Sequence, residues 1–283
     1  MDQKNTINMV IGIDIGSTTT KSVAIYPDKT FRTLTTKAFD AVTSATGALG
    51  KMLMENNLDI ASINHIVLTG VGATRIAGNL FGIPTSKIEE IVAVGLGGVY
   101  LSGSNRVIIA NIGTGTALVE ARDGVITHIG GTGVGGGTLL GLAKAILNIS
   151  DISRLLELAA KGRISNIDLL IGDIADTNIG FLKKEMTAAN FGKMLDTATD
   201  EDKALGILHM VYQVIGIVSA FAAKSRNIRT IVVTGTASSV SVGKTTLDAI
   251  AEMHNINFVY PEQAEYATAI GAALSKQVPL SRP

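Results

Sequence analysis

Val10-Ile11-Gly12-Ile13-Asp14-Ile15-Gly16-Ser17-Thr18-Thr19-Thr20-Lys21 is a run of β-branched and aliphatic residues that breaks at a glycine with hydroxyls beyond it. It reads as a buried strand that turns at Gly16 and sets off again. Glycine lets a backbone come close to a phosphate, and the N–H groups and hydroxyls of the turn then donate to it. The same grammar returns far downstream in Val107-Ile108-Ile109-Ala110-Asn111-Ile112-Gly113-Thr114-Gly115-Thr116. One such turn is common. Two predict a duplicated nucleotide clamp with ATP between two halves.

Each turn sits in the same succession of elements. In the first half, strands are expected over Ile7 to Ile15, Lys21 to Tyr26 and Phe31 to Phe39, a helix over Thr43 to Asn56, and a strand over His65 to Thr69. A helix is expected from about Thr74. Pro84 interrupts, and Thr85-Ser86 has the residue types that cap a helix beginning near Lys87. The second half repeats the order: strands over Arg106 to Ile112, Ala117 to Ala121 and Val125 to Ile129, then a helix opening at Thr138. Helices follow over Ser153 to Lys161 and Asp202 to Ser225, a strand over Thr230 to Thr234, and a last helix over Ala264 to Ser275. The repeat places a boundary near Ser104-Asn105, giving an N-terminal domain over 1–105 and a C-terminal one over 106–283.

A chain of 283 residues has no difficulty burying a sizeable core. Hydrophobic residues make up 46% and charged ones 17%, which argues for a compact fold and against disorder. Basic and acidic residues balance to zero net charge and form no block, so no nucleic-acid partner and no anionic membrane surface is expected. The absence of cysteine excludes disulfides, iron–sulfur clusters and thiolate metal sites within the chain. The longest apolar stretch, Ile207 to Ala223, carries His209, Tyr212, Gln213 and Ser219 and reads as a buried helix rather than a membrane span. A cytoplasmic enzyme is expected.

The candidate chemistry gathers at the turns. Asp14, at the end of a buried strand, suits Mg²⁺, which prefers hard oxygen ligands and often keeps its water. Lys21 reads equally as a phosphate-neutralising cation and as an ordinary strand residue. The glycine run from Gly130 to Gly137 contains a dinucleotide-type fingerprint, but it follows a hairpin-like strand pair, so NAD binding is rejected. A glycine-preceded helix N-terminus still makes an anion site. Ser241-Val242-Gly243-Lys244-Thr245-Thr246 imitates the end of a P-loop but has Ser238 where the first glycine belongs, so Lys244 reads as a surface residue. Glu89 and Glu90 taken alone are carboxylates favoured by a helix N-terminus. His128 has no second histidine at zinc-ligand spacing.

The two turns, the Gly235 turn and Ala267-Thr268-Ala269-Ile270-Gly271-Ala272-Ala273 resemble the superfamily of acetate and sugar kinases, Hsp70 and actin. Within it the chain is similar to the type II pantothenate kinases, through ANIGTGTALVEARDGVITHIGGTGVGGGTLLGLAKAI at 110–146, ISNIDLLIGDIA at 164–175 and TAANFGKM at 187–194. The resemblance covers nearly the whole chain. It implies an α/β fold of two ribonuclease-H-like domains with an ATP cleft between them, MgATP as phosphate donor, pantothenate as acceptor, and a homodimer for which the apolar helix is a candidate interface. It assigns the catalytic base to Glu90, spaced from Gly97 and Tyr100 as in the family. It assigns phosphate contacts to Gly16, Ser17, Thr18 and Lys21, to Gly113, Thr114 and Gly115, to Gly135, Gly136 and Gly137, and to Gly235. Thr116, Ala117 and His128 fall on the acceptor side.

Two positions depart from the family. His128 stands where an arginine contacts the pantothenate end of the site, and Ala117 where a serine follows the second turn. Histidine lacks arginine's fixed fork for a carboxylate, though its protonated form still pairs with one. A kinase of another small hydroxyl-bearing acceptor is therefore the second reading. A third is an ATP-driven switch, since GIDIGSTTTK also resembles the activators of acyl-CoA dehydratases; those carry cluster-binding cysteines that this chain lacks.

Overall fold

The computed structural model describes residues 9–178 and 183–276. The first half is a five-stranded sheet in the order β3-β2-β1-β4-β5. Its strands are β1 (Met9–Ile15), β2 (Thr19–Ile25), β3 (Phe31–Lys37), β4 (Ile63–Thr69) and β5 (Thr85–Lys87). Strands β1 to β3 form an antiparallel meander, while β4 and β5 run parallel to β1. The expected first strand is described from Met9 onwards; Ile7 and Asn8 lie outside the described residues. Two helices belong to this half. Helix α1 (Ala41–Glu55) starts where the Asp40 side chain accepts from the Thr43 N–H, and α2 (Glu90–Ser102) ends at Gly103.

The second half repeats the plan. Strands β6 (Arg106–Ile112), β7 (Thr116–Arg122) and β8 (Val125–Thr132) form the meander, followed by α3 (Gly136–Leu147) and α4 (Ile152–Ala159). An arm follows, made of β9 (Leu169–Leu170), α5 (Ile171–Ile174) and β10 (Thr187–Ala189). Then come α6 (Asp200–Ser225), β11 (Thr230–Thr234), α7 (Ser241–His254), β12 (Asn257–Val259) and α8 (Ala267–Leu274). The sheet order is β12-β11-β6-β7-β8, with β11 and β12 parallel to β6. Order and strand directions match the first sheet element for element.

Sequence explains the layers. Ile11, Ile13 and Ile15 of β1 point to one face and pack with Leu49 and Met52 of α1. On the outer side of the second sheet, Ile108, Ala110 and Ile112 pack with Leu139, Leu155, Leu208 and Val211. Between the sheets lie α2 and α8. Val94 of α2 packs on Val107, Ile109 and Val119, while Ala93 meets Ala272 and Val67. The two helices cross so closely that a side chain at Gly97 would collide with the Ala267 carbonyl, and one at Gly271 with the Ala93 carbonyl. The chain therefore leaves the first sheet after α2 and returns α8 to it at the end, on either side of the proposed boundary at Ser104-Asn105.

Helix α6 is long and apolar enough to cross a membrane by length and composition alone. Ile207, Leu208, Val211, Tyr212 and Ile215 are buried in the second-half core, so burial within one subunit accounts for its apolarity. Thr199 and Asp202 close its N-terminus in a capping box.

Two expectations fail between Thr74 and Lys87. No helix forms from Thr74; only a 3-10 turn spans Ala73–Arg75, and Gly78, Phe81 and Gly82 then adopt positive φ angles that no helix continues. Thr85 does not cap a helix. Its hydroxyl donates to Ile83 O and accepts from Leu80 N, and Thr85 opens the edge strand β5 opposite Ile66. The helix starts three residues beyond Lys87, at Glu90, with Glu89 as its N-cap residue.

The arm carrying the two most distinctive sequence segments is tied down from inside. Asp168, fully buried, accepts from Phe191 N (2.9 Å), Thr187 Oγ1 (2.8 Å) and Asn190 Nδ2 (3.3 Å). His209 of α6 stands 3.7 Å from the same carboxylate.

Candidate active site

The meander of each sheet opens with a strand–turn–strand unit, and the two units face each other. β1 ends at Ile15, Gly16 to Thr18 form the turn, and Gly16 N donates to Thr19 O (3.1 Å). β6 ends at Ile112, Gly113 to Gly115 form the turn, and Gly113 N donates to Gly115 O (2.9 Å). In both, the first glycine N–H closes the turn itself. At the rim the turns touch, with Ser17 Oγ 3.1 Å from Thr114 Oγ1. Between them lies a cavity of about 1100 Å³, enough for a nucleotide and a second small molecule.

Asp14 lines its floor. Burial pushes this carboxyl up to about 6, the nearby Glu90 carboxylate adds to the rise, and Lys21, its partner across the β1–β2 pair, opposes it. Lys21 is itself buried, which lowers its ammonium below the ordinary lysine range against the opposing pull of Asp14 and Glu265. Glu90, the first residue of α2, faces the cavity, and partial burial raises its carboxyl above the ordinary value.

His128 reaches the same cavity because of a β-bulge. Leu118 pairs with Gly130 but Val119 pairs with His128, so Ile129 is an extra residue. Ile129 packs on the second-half core, and His128, Gly131 and Ala117 all line the cavity.

Of the residues singled out in the sequence, Asp14, Gly16, Ser17, Thr18, Lys21, Glu90, Gly113 to Ala117, His128, Gly136, Gly137 and Gly235 line this one cavity. Gly135 does not. Nor does the triple glycine offer its N–H groups to a ligand. Gly136 N donates to Gly113 O (2.9 Å), Gly137 N to Thr114 O (2.9 Å) and Gly135 N to Thr138 Oγ1 (3.2 Å). The run buttresses the second turn from behind. Thr116 is likewise committed, its hydroxyl donating to Val134 O (2.9 Å). Lys244 is exposed and stacks its ammonium 5.0 Å from the Tyr260 ring centroid, as a surface residue would.

The cavity has walls the sequence reading did not mark. Leu140, Ile152, Leu156 and Val240 form an apolar side suited to a purine ring. Thr236, Glu265 and Thr268 add polar groups to the floor. Among the described residues no group of three or more His, Asp or Glu side chains could hold a metal ion. Asp14, a partly buried carboxylate in the cavity lining, nevertheless fits Mg²⁺, which uses one or two carboxylates with water and phosphate oxygens.

Twin sheets of one topology closing on a cleft between two glycine turns define an actin-like ATPase fold. Solved structures of that fold superimpose over almost the whole chain. They include the activator of 2-hydroxyisocaproyl-CoA dehydratase from Clostridium difficile with bound ADPNP (TM-score 0.66, 20% identity, 97% of this chain and 100% of that one). A ROK family glucokinase from Streptomyces griseus gives a TM-score of 0.61 at 14% identity, covering 95% of this chain and 100% of that one. At the sequence level the Fumble family profile matches residues 102–275. A type II pantothenate kinase from Bacillus cereus (strain G9842) is 28% identical over 93% of this chain and 97% of its own length. One from Oceanobacillus iheyensis is 31% identical over 70% of this chain and 77% of its own length, and one from Staphylococcus aureus (strain USA300) 28% over 93% and 98%. The chain belongs to the Fumble family, with the type II pantothenate kinases.

Proposed function

We propose that this protein transfers the γ-phosphoryl group of ATP to the primary 4′-hydroxyl of pantothenate, giving 4′-phosphopantothenate and ADP, the first step towards coenzyme A. The observation that carries the reading is the end-to-end similarity to type II pantothenate kinases, joined to a single cleft lined by both glycine turns and Glu90. Ser17 and Thr18 from one side and Thr114 and Gly115 from the other donate to the β- and γ-phosphates, with Gly235 closing the floor. Lys21 places a positive charge beneath them. The adenine lies on the Leu140, Ile152, Leu156 and Val240 wall. Mg²⁺, held through water by Asp14, neutralises phosphate charge when bound. Glu90 accepts the hydroxyl proton as the acceptor oxygen meets the γ-phosphorus, and the leaving oxygen departs with ADP. Such transfer depends chiefly on positioning and charge stabilisation, which a preformed cleft supplies. His128, opposite the nucleotide side, pairs with the acceptor carboxylate beside Ala117. Homodimeric assembly and a cytoplasmic setting complete this reading.

A second reading is favoured by His128 and Ala117, which depart from the family on the acceptor side: a kinase of another small hydroxyl-bearing acceptor. The dehydratase-activator reading retains only the shared fold. A panel of pantothenate, its analogues and simple sugars, each with MgATP and with products identified by mass, separates them. The highest kcat/KM with pantothenate supports the first reading. A different best acceptor supports the second, and ADP formation indifferent to every acceptor supports an ATP-driven switch.

A further inference from the structure

A second link crosses the cleft beneath the Ser17–Thr114 contact. Lys21 Nζ donates to Thr236 Oγ1 at 2.7 Å. Lys21 stands on β2 of the first sheet, whereas Thr236 follows β11 of the second, 215 residues away. The lysine is only 6% exposed. Its charged neighbours are Asp14 on the adjoining strand and Glu265 before α8.

The Thr236 turn is itself fixed to the second phosphate turn. Ala237 N donates to Ile112 O (3.1 Å), the carbonyl just before Gly113, and Gly235 N donates to Ala264 O (3.0 Å). Gly235 holds this turn at φ 91, a left-handed conformation that favours glycine. Any side chain there would also press on Ile112 O, 2.5 Å from an added Cβ. A continuous path therefore runs from the first phosphate unit through Lys21 and Thr236 to the strand end that carries the second.

Hydrogen-bond chemistry gives the threonine a direction. An ammonium group only donates, so Thr236 Oγ1 accepts from Lys21 and its own O–H is left to donate. Thr236 is exposed and lines the cavity, so that proton is available to the cavity. A hydroxyl that accepts from a cation is polarised into a better donor.

We propose that Lys21 is a positioning residue acting through Thr236: the pair fixes the spacing of the two phosphate turns and presents the Thr236 hydroxyl to a phosphate oxygen of the nucleotide. The inference rests on the nucleotide reading of the cleft but not on the identity of the acceptor. Lys21 then serves the phosphate through a neighbour, and Thr236, unremarkable in sequence, becomes a binding residue.

The test is a double-mutant cycle read by calorimetric titration with the nonhydrolysable analogue AMPPNP plus Mg²⁺, with kcat alongside. Thr236→Val and Lys21→Met each weaken binding on the order of tenfold, as loss of a charge-assisted hydrogen bond predicts. The double variant is no weaker than the worse single one, because both break one path. Thr236→Val also loses stability, because it leaves the buried Lys21 ammonium without its acceptor, whereas Thr236→Ser keeps the hydroxyl and restores wild-type affinity, a rescue that a merely structural role of the threonine methyl does not predict. Because AMPPNP binding needs no acceptor, a wrong assignment of pantothenate leaves this result intact. Wild-type affinity in Thr236→Val, or additive losses in the double variant, overturns the proposal and leaves Lys21 as an independent phosphate contact.

Discussion

Ser17 Oγ and Thr114 Oγ1 lie 3.1 Å apart although 97 residues separate them, so the tips of the two glycine turns meet at the rim of one cleft. Each hydroxyl is exposed there, and each turn presents it on the residue that follows its first glycine. On entry of a triphosphate both are free to turn to its oxygens. Ser17→Ala and Thr114→Ala should each weaken Mg-nucleotide binding by about tenfold, while melting temperatures stay close to wild type, since an exposed neutral hydrogen bond adds little to stability. Titration calorimetry checks this; unaltered affinity in both variants would show that the rim does not hold phosphate.

Glu90 opens α2 and faces the cavity floor beside Asp14. If it takes the acceptor proton, Glu90→Gln lowers kcat by about 10²–10⁴-fold and leaves the KM for ATP within a few-fold of wild type. The pH profile gives a second check. The base must be ionised, and burial raises the Glu90 carboxyl above 4.5, so kcat falls with acidification at a pH higher than an ordinary glutamate would give. Asp14, at about 6, interacts with it, and the acid limb belongs to the pair. Near-full kcat in the glutamine variant removes Glu90 from this role.

The environment of Asp14 disfavours its charge and so makes stability depend on pH. In the unfolded chain its carboxyl ionises near 3.8, in the fold near 6, so the folded protein binds the extra proton and the unfolded state is favoured once both are ionised. The cost of the buried charge is fully present above about pH 6 and vanishes below about pH 4. Asp14→Asn should therefore raise the melting temperature by a few degrees at pH 8 without Mg²⁺, by progressively less as the pH falls towards 4, and should abolish most activity. A variant that melts at or below wild type at pH 8 contradicts the burial argument.

Asp168 ties down the arm that carries β9 and β10 by three hydrogen bonds, with His209 close by. Asp168→Ala strands buried donors of Thr187, Asn190 and the Phe191 backbone. A loss of about 2–5 kcal/mol in urea unfolding is expected, with early proteolysis inside the arm. A loss below about 1 kcal/mol would mean that the arm is held mainly by its apolar contacts.

The turns were legible in the sequence because their signal is local: an apolar strand, a glycine, then hydroxyls. The duplication followed from finding that signal twice. The family segments ISNIDLLIGDIA and TAANFGKM were visible as text, but their physical reason is Asp168 meeting Thr187, Asn190 and Phe191 across the arm, which no local pattern reveals. Leu140, Ile152 and Leu156 occupy ordinary apolar helix positions, and only the assembled cleft distinguishes them. Thr85-Ser86 satisfied the chemistry of a helix cap, yet pairing with β4 claimed those residues for an edge strand. Gly136 and Gly137 line the cavity, and the assembled fold shows in addition that their N–H groups hold Gly113 O and Thr114 O of the neighbouring turn. In each of these cases a tertiary partner overrode or completed a local preference.

The central claim is phosphoryl transfer from ATP to pantothenate, and the most direct measurement is the mass of the product formed with MgATP and pantothenate. The account predicts 4′-phosphopantothenate appearing in step with ADP, and neither forming at that rate when pantothenate is omitted. ADP release without a phosphorylated pantothenate, or no turnover at all, would contradict it.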